Sequence, residues 1–323
     1  MLIKTDSSGE LEWGKTYGFG GALSVVQTDD LGYALCGTYW LLKTDADGNV
    51  QWNKTFEGLN LHSAIQASDG GYVIVGYDPN YGEGLDVSVL LKTDQNGNLL
   101  WNKTFTPSYS AYAPAVAETD DGDYMVAGTL GGDFWLAKTD NGGNLPWNKT
   151  YHHVSELKTG PSSFRSIAKT EDGGYILSGD DGRGAWLVKV DADGEEQWNL
   201  GYIVGERENC FFTSVVELAD GGYIVAGCYF SPVYALLVRI DGSGGYVWNA
   251  SYGTDNGRAY SVLAADDGGF VVAGFLDDNV WLAKFAPESQ FWSSVVLLVA
   301  GLVVVTVVAV AFVVYKRNHR TTA

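Results

Sequence analysis

Six times along this chain the pattern Asp-x-x-Gly-x-x-x-Trp recurs: Asp6/Gly9/Trp13, Asp45/Gly48/Trp52, Asp94/Gly97/Trp101, Asp140/Gly143/Trp147, Asp191/Gly194/Trp198 and Asp241/Gly244/Trp248. A second block alternates with it. It occupies Ser24–Gly37, Ser63–Gly76, Ala115–Gly128, Ser166–Gly179, Ser214–Gly227 and Ser261–Gly274, with Asp-Gly-Gly-Tyr or a near variant at its centre. A unit of roughly 40–50 residues carrying four short β runs is the pattern of a propeller blade.

The second unit shows the reading residue by residue. Ser63–Ala67 is expected as the innermost strand, Gly71–Gly76 as the second, Ser88–Thr93 as the third and Asn98–Phe105 as the outer one. Asp69-Gly70-Gly71 supplies the first turn: Asp caps it through its side chain and Gly takes the positive φ a tight hairpin needs. Asp94-Gln95-Asn96-Gly97 supplies the second, a type I turn with Gly in the left-handed bulge position. Tyr72-Val73-Ile74-Val75 is apolar throughout, as a strand covered on both faces should be. The tyrosines at Tyr33, Tyr72, Tyr124, Tyr175 and Tyr223, with Phe270, are placed to wedge between sheets. The outer-strand residues Trp13, Trp52, Trp101, Trp147, Trp198 and Trp248 offer large flat area for keying one blade to the next. Trp40, Trp135, Trp186 and Trp281 open the third strand and are read as packing too.

The repeat resembles uncharacterised surface repeat proteins of archaea and bacteria that carry Lys-Thr-Asp-x-x-Gly-Asn-x-x-Trp-Asn-Lys-Thr and Asp-Gly-Gly-Tyr-x-x-x-Gly. The match is best at Lys43–Thr55, Lys92–Thr104 and Lys138–Thr150, and covers about residues 1–285. It is also distantly similar to the tryptophan-docking repeat of quinoprotein-type propellers, which has one more residue between Asp and Gly. The first resemblance implies a propeller on the cell surface and brings no activity; the second implies only how blades dock.

Counting strands gives six inner hairpins, six outer Trp strands and seven copies of the third strand. The expected fold is an all-β, six-bladed β-propeller followed by one C-terminal transmembrane helix. Closure would come from Glu10–Tyr17 acting as outer strand of the last blade, with Leu2–Thr5 and Trp281–Phe285 competing for one slot. Seven blades is the alternative.

Val295–Val314 is uncharged, long enough to cross a hydrocarbon core, with Phe291, Trp292 and Tyr315 at its edges. Lys316, Arg317 and Arg320 follow, which orients the tail to the cytoplasm and the body outside. The expected organisation is a β-propeller ectodomain over 1–287, a linker over 288–294, a transmembrane helix over 295–315 and a short basic tail over 316–323. The chain opens inside a repeat without a visible export signal. A start lying further upstream, or a fragment, accounts for that; a tail-anchored cytosolic propeller is the alternative. All 39 acidic residues precede Phe291 against 17 basic ones, so the body carries −22, which excludes a nucleic-acid partner.

Cys210 and Cys228 flank one expected hairpin and are a candidate disulfide, with two unpaired thiols the alternative; Cys36 stands where other repeats have a small core residue. Asn53, Asn102, Asn148 and Asn249 head Asn-x-Thr/Ser triplets and are candidate glycosylation sites, although each directly follows a repeat Trp. Asp45-Ala46-Asp47-Gly48-Asn49 and Asp191-Ala192-Asp193-Gly194 lack the spacing and closing Glu of a calcium loop and are read as turns.

The two turns within each blade keep their length, and all variation falls on the other two connections. Trp13 to Ser24 is eleven positions against nineteen for Trp147 to Ser166; Gly37 to Asp45 is eight against eighteen for Gly76 to Asp94. In an up-and-down blade these connections share one face, the usual binding face of a repeat protein. The candidate ligand-binding residues there are Asp78, Tyr81, Tyr109, Tyr112, His152, His153, Asp180, Asp181, Arg183, Arg207, Tyr229 and Phe230, together with Pro79, Asn80, Glu156 and Asp277. No nucleophile elbow, zinc-protease or phosphate-loop motif is present; no catalytic residue, metal site or cofactor is assigned. The expectation is a single-pass membrane-anchored surface propeller, adhesin- or receptor-like, that binds a glycan, peptide or envelope protein without turnover. The alternative is an extracellular lyase, hydrolase or quinoprotein-like oxidoreductase.

Overall fold

The computed structural model describes residues 1–80, 87–105, 111–151, 163–180, 184–202, 210–229, 233–253, 256–277 and 279–287. Every regular element among these residues is a strand. A two-stranded ribbon, β1 (Leu2–Thr5) and β2 (Leu11–Lys15), precedes five four-stranded antiparallel sheets. Blade 1 holds β3 (Ala22–Gln27), β4 (Tyr33–Gly37), β5 (Trp40–Thr44) and β6 (Val50–Thr55). Blade 2 holds β7 (Asn60–Gln66), β8 (Tyr72–Asp78), β9 (Val87–Thr93) and β10 (Leu99–Phe105). Blade 3 holds β11 (Ala111–Glu118), β12 (Tyr124–Leu130), β13 (Asp133–Thr139) and β14 (Trp147–Tyr151). Blade 4 holds β15 (Ser163–Lys169), β16 (Tyr175–Asp180), β17 (Ala185–Val190) and β18 (Glu196–Tyr202). Blade 5 holds β19 (Cys210–Glu217), β20 (Tyr223–Tyr229), β21 (Ala235–Ile240) and β22 (Tyr246–Tyr252). Blade 6 has three strands, β23 (Gly257–Ala264), β24 (Phe270–Leu276) and β25 (Asn279–Phe285). The first strand of each blade packs on the first strand of the next, from β3 through β7, β11, β15 and β19 to β23, so these strands form the inner wall. This is an all-β, six-bladed propeller.

The seam differs from the expectation. β2 pairs with β1, with Lys4 opposite Trp13, in the register of Lys43 opposite Trp52. The ribbon therefore has the form of the third and fourth strands of a blade, and it covers Tyr33, Leu35 and Leu42 of blade 1 through Leu2 and Trp13. It does not complete blade 6, whose β25 pairs on one side only among the described residues. Local pairing decides this: a five-residue turn closed by Asp6 N–H to Glu10 O joins β1 to β2, and closing a short loop costs less entropy than recruiting a strand across the whole ring.

Each part of the repeat has a mechanical role. Asp172 of the inner turn of blade 4 accepts the Gly174 N–H (3.0 Å) and both its oxygens accept from Lys189 Nζ (3.0 and 2.8 Å). The same ammonium donates to Val190 O (3.2 Å) and Gln197 Oε1 (3.0 Å). Lys43 repeats this with Asp30, Thr44 O and Gln51, Lys92 with Asp69 and Thr93 O, and Arg239 with Asp220 and Ile240 O. These cations are buried, with the Lys189 side chain only 3% exposed, and a charge can stay buried because it is fully hydrogen-bonded. The second Gly of Asp-Gly-Gly is favoured because a Cβ at Gly174 would lie 2.3 Å from the backbone oxygen of Val190 and 2.6 Å from Lys189 Nζ. Blade 3 has Asp123 there instead, and its Lys138 is displaced to 21% exposure, bonded to both Asp121 and Asp123.

The outer Trp docks forward. Trp52 meets the edge of Tyr72 in blade 2 at 5.6 Å, Trp13 and Trp198 meet Tyr33 and Tyr223 likewise, and Trp248 stacks on Phe270 at 6.5 Å. The ring covers the bulge glycine of the next outer turn: a Cβ at Gly97 (φ +74°) would sit 2.6 Å from Trp52. The lysine two residues on fastens the same turn, Lys15 to Asn49, Lys54 to Asn98 and Lys149 to Glu195 at 2.6–2.8 Å. The third-strand tryptophans fill the interior as expected, with Trp186 4.2 Å from Phe134 between ring centroids. Cys36 is a buried core residue whose thiol burial pushes up to about 12.

Cys210 and Cys228 are not joined. Cys210 stands opposite Tyr229 and Cys228 opposite Phe211, so the two side chains leave opposite faces of the β19–β20 hairpin. The one-residue offset excludes the expected disulfide. Among the described residues no helix is long and apolar enough to cross a membrane; the span expected over 295–315, its linker and its tail lie outside the described residues.

Candidate functional site

The six inner turns (28–32, 67–71, 119–123, 170–174, 218–222 and 265–269) are five residues each. They share one end of the molecule with the outer turns. Adjacent blades are laced there, the Asp29 N–H donating to Gln66 Oε1 (2.8 Å), the Ser68 N–H to the Glu118 carboxylate (2.9 Å) and the Glu171 N–H to Glu217 Oε2 (2.6 Å). Burial first, and then the neighbouring Glu171 and Asp172, raise the Glu217 carboxyl above its ordinary range. The antiparallel order of every blade puts the remaining connections at the opposite end. These run from two residues (38–39, 131–132 and 277–278) to eleven (152–162).

Near that variable end the inner strand of every blade carries a β-bulge. The register slips between Ala22 and Ser24, Leu61 and Ser63, Tyr112 and Ala115, Phe164 and Ser166, Phe212 and Ser214, and Ala259 and Ser261. The extra residues are Leu23, His62, Ala113-Pro114, Arg165, Thr213 and Tyr260. A bulge takes a side chain out of the alternation of its strand, and Leu23, Arg165 and Tyr260 are exposed, each between a buried residue (Ala22, Phe164, Ala259) and a half-buried serine. Together they form a collar at the mouth of the inner wall, one position per blade. The following Ser24, Ser166 and Ser214 hold it in place: each Oγ accepts a backbone N–H from the next blade, Ala64, Val215 and Val262 respectively, at 3.2–3.4 Å.

The collar is chemically varied. Arg165 Nε donates to Asp180 Oδ2 at 2.8 Å and its guanidinium stands 5.0 Å from the Phe211 ring. His62 stacks on Tyr77 (5.7 Å, 19°), and burial drives its imidazole down to about 4, so it is neutral at physiological pH. Thr213 ties Ala226 O (3.1 Å) to Ala259 O (2.6 Å), joining blades 5 and 6.

The expected site residues fare unequally. Asp180 belongs to the collar through Arg165. Asp78 ends β8 and accepts the Asn80 N–H (2.8 Å), capping its own turn. Tyr229 is corrected: it is 6% exposed, packed in the core between blades 4 and 5 with Tyr202 and Phe212, because its position opposite Cys210 turns it toward blade 4. Asp277 is exposed, at φ +47°. Tyr112 lies on β11 opposite Thr129, and its side chain is outside the described part. Tyr81, Tyr109, His152, His153, Glu156, Asp181, Arg183, Arg207 and Phe230 also lie outside the described residues. Among the described residues no group of three or more His, Cys, Asp or Glu is arranged to hold a metal ion. The Asp45 loop behaves as a turn: its carboxylate accepts the N–H groups of Asp47 and Asn49 (3.0 and 2.7 Å).

The collar escaped the sequence reading because that reading began each block at the residue after the bulge, a Ser in five blades and Ala115 in blade 3. The signal was the last Gly of the block. A Cβ at Gly76, Gly179, Gly227 or Gly274 would strike the backbone oxygen of Asn60, Ser163, Phe211 or Arg258 at 1.9–2.2 Å. A glycine inside a strand marks such a close approach.

No protein-family model and no curated protein matches this chain. Among solved structures it is similar to a protein of unknown function from Bacteroides caccae (16% identity, TM-score 0.57, covering 78% of this chain and 90% of that one). It is similar also to a glucose dehydrogenase (12%, 0.55, 83% and 96%) and to the Dos1 propeller (14%, 0.57, 84% and 71%). Identities this low carry the propeller fold and nothing of activity.

Proposed function

We propose that this chain is a membrane-anchored, extracellular propeller that binds a glycan, peptide or neighbouring envelope protein through its variable face. The observation that carries this reading is a coincidence of two independent features at one end of the fold. All variation in connection length falls there, and so does the bulge collar, whose residues differ from blade to blade while the frame beneath them repeats. Selection for a frame alone gives no reason for bulges that expose Leu23, Arg165 and Tyr260. The −22 charge of the body and the uncharged run at 295–314, followed by Lys316 and Arg317, support the surface placement.

The test uses the detergent-solubilised full chain on glycan and peptide arrays and as bait for envelope proteins, beside Arg165→Ala and Tyr260→Ala. Saturable binding weakened at least about tenfold by either change, with the unfolding midpoint unmoved, is the expected result. Binding indifferent to both changes refutes the collar. Turnover abolished by Asp180→Asn would instead make the protein an enzyme.

A further inference from the structure

Docking accounts for only half of the outer-strand sequence Trp-Asn-Lys-Thr. Trp and Lys face the next blade, the first on its tyrosine and turn glycine, the second on its turn side chain. Asn and Thr, at the alternate positions, take no part in that joint. Asn53 with Thr55, Asn102 with Thr104, Asn148 with Thr150 and Asn249 with Ser251 are all exposed. Two residues apart on a strand share a face, so each amide has its hydroxyl beside it on the outer wall. The register is the same in each blade: Asn53 stands opposite Leu42, Asn102 opposite Leu91, Asn148 opposite Ala137 and Asn249 opposite Val238. The amides make few ties. Asn148 Oδ1 accepts from Trp135 Nε1 at 3.3 Å and Asn249 Nδ2 donates to Tyr246 Oη at 2.8 Å. Blade 4 breaks the pattern: Asn199-Leu200-Gly201 keeps the exposed amide and lacks the hydroxyl, and Asn199 bonds to Glu196 instead (2.5 Å).

We propose that Asn53, Asn102, Asn148 and Asn249 are acceptors for N-linked glycans, forming a sugar belt on the outer wall of blades 1, 2, 3 and 5. The donor class is an oligosaccharide on a polyprenyl phosphate or pyrophosphate, used by a membrane transferase. The amide nitrogen attacks the anomeric carbon, the bond from that carbon to the oxygen of the lipid phosphate breaks, the phosphate leaves with the bonding pair, and the one proton the amide loses passes to that phosphate or to water. The belt lies on the circumference, so it clothes the wall and leaves the variable face open. This inference rests on the export proposed above.

Glycopeptide mass spectrometry of the full chain from its own cells, with surface biotinylation of the same cells, tests it. The expected result is a surface-labelled protein with sugar-bearing mass additions on the four peptides, none on the Asn199 peptide, and loss of one addition for each Asn→Gln change. Gly201→Thr supplies the missing hydroxyl and should gain an addition at Asn199. Surface labelling with all four asparagines bare overturns the belt alone. Absence of surface labelling with bare asparagines overturns export and the belt together.

Discussion

Asp172→Asn isolates the charge of the most complete turn lock. The amide oxygen still accepts the Gly174 N–H, so the turn keeps its cap, while Lys189 loses its counter-ion and one of two acceptor oxygens. Breaking a fully buried pair costs about 3–5 kcal/mol, and breaking an exposed one about 0.2–1 kcal/mol. Here the lysine is 3% exposed and the aspartate 52%, and Val190 O and Gln197 Oε1 still hold the ammonium. The loss should therefore fall between those limits, at about 2 kcal/mol. Blade 6 supplies the control. Lys284 is 44% exposed beside Asp267, so Asp267→Asn should cost under about 0.5 kcal/mol. Urea unfolding at pH 7, read as a midpoint shift at constant slope, measures both. Equal losses for the two substitutions, or a loss below about 0.5 kcal/mol for Asp172→Asn, would refute the claim that burial of the cation makes the lock.

Leu31 sits at φ +67° where all five other inner turns have Gly with φ near +80°, so Leu31→Gly should raise stability by about 1 kcal/mol despite the added chain entropy, seen as a higher urea midpoint. Gly97→Ala should cost about 3 kcal/mol, combining left-handed strain with a displaced Trp52 ring, whereas Gly58→Ala, at φ +79° with nothing within 4 Å, should cost about 1 kcal/mol. Hydrogen bonds from Lys138 and Thr119 hold Asp121 down to about 2, and at Asp172 burial is outweighed by Lys189 and Thr170, again to about 2. Both titrate lower folded than unfolded, so their stabilisation is present above the ordinary value of 3.8 and is lost as pH falls from there toward 2; midpoints between pH 6 and pH 2 should drop in that window, and less so in Asp172→Asn.

The frame was legible because repetition makes each blade a copy of the same argument. The strands of blade 2 lie within three residues of their expected bounds, and the turn glycines have the positive φ that Asp-Gly-Gly and Asp-x-x-Gly demanded. The Lys–Asp lock was less visible, since Asp69 alone satisfies turn chemistry and nothing local says that Lys92, twenty-three residues on, will reach it. The cysteine pairing failed on parity: proximity at a hairpin end says nothing of which face each side chain takes. Tyr229 failed for the same reason. The collar demanded the register, because only pairing Leu61 with Gly76 and Ser63 with Val75 shows that His62 is the residue left over.

Protease shaving of intact cells, with mass spectrometry of what is released, bears most directly on a surface binding propeller. The account predicts that peptides from the variable face of 1–287 leave the cells before lysis while residues 316–323 stay protected. A body untouched until the cells are broken would contradict it.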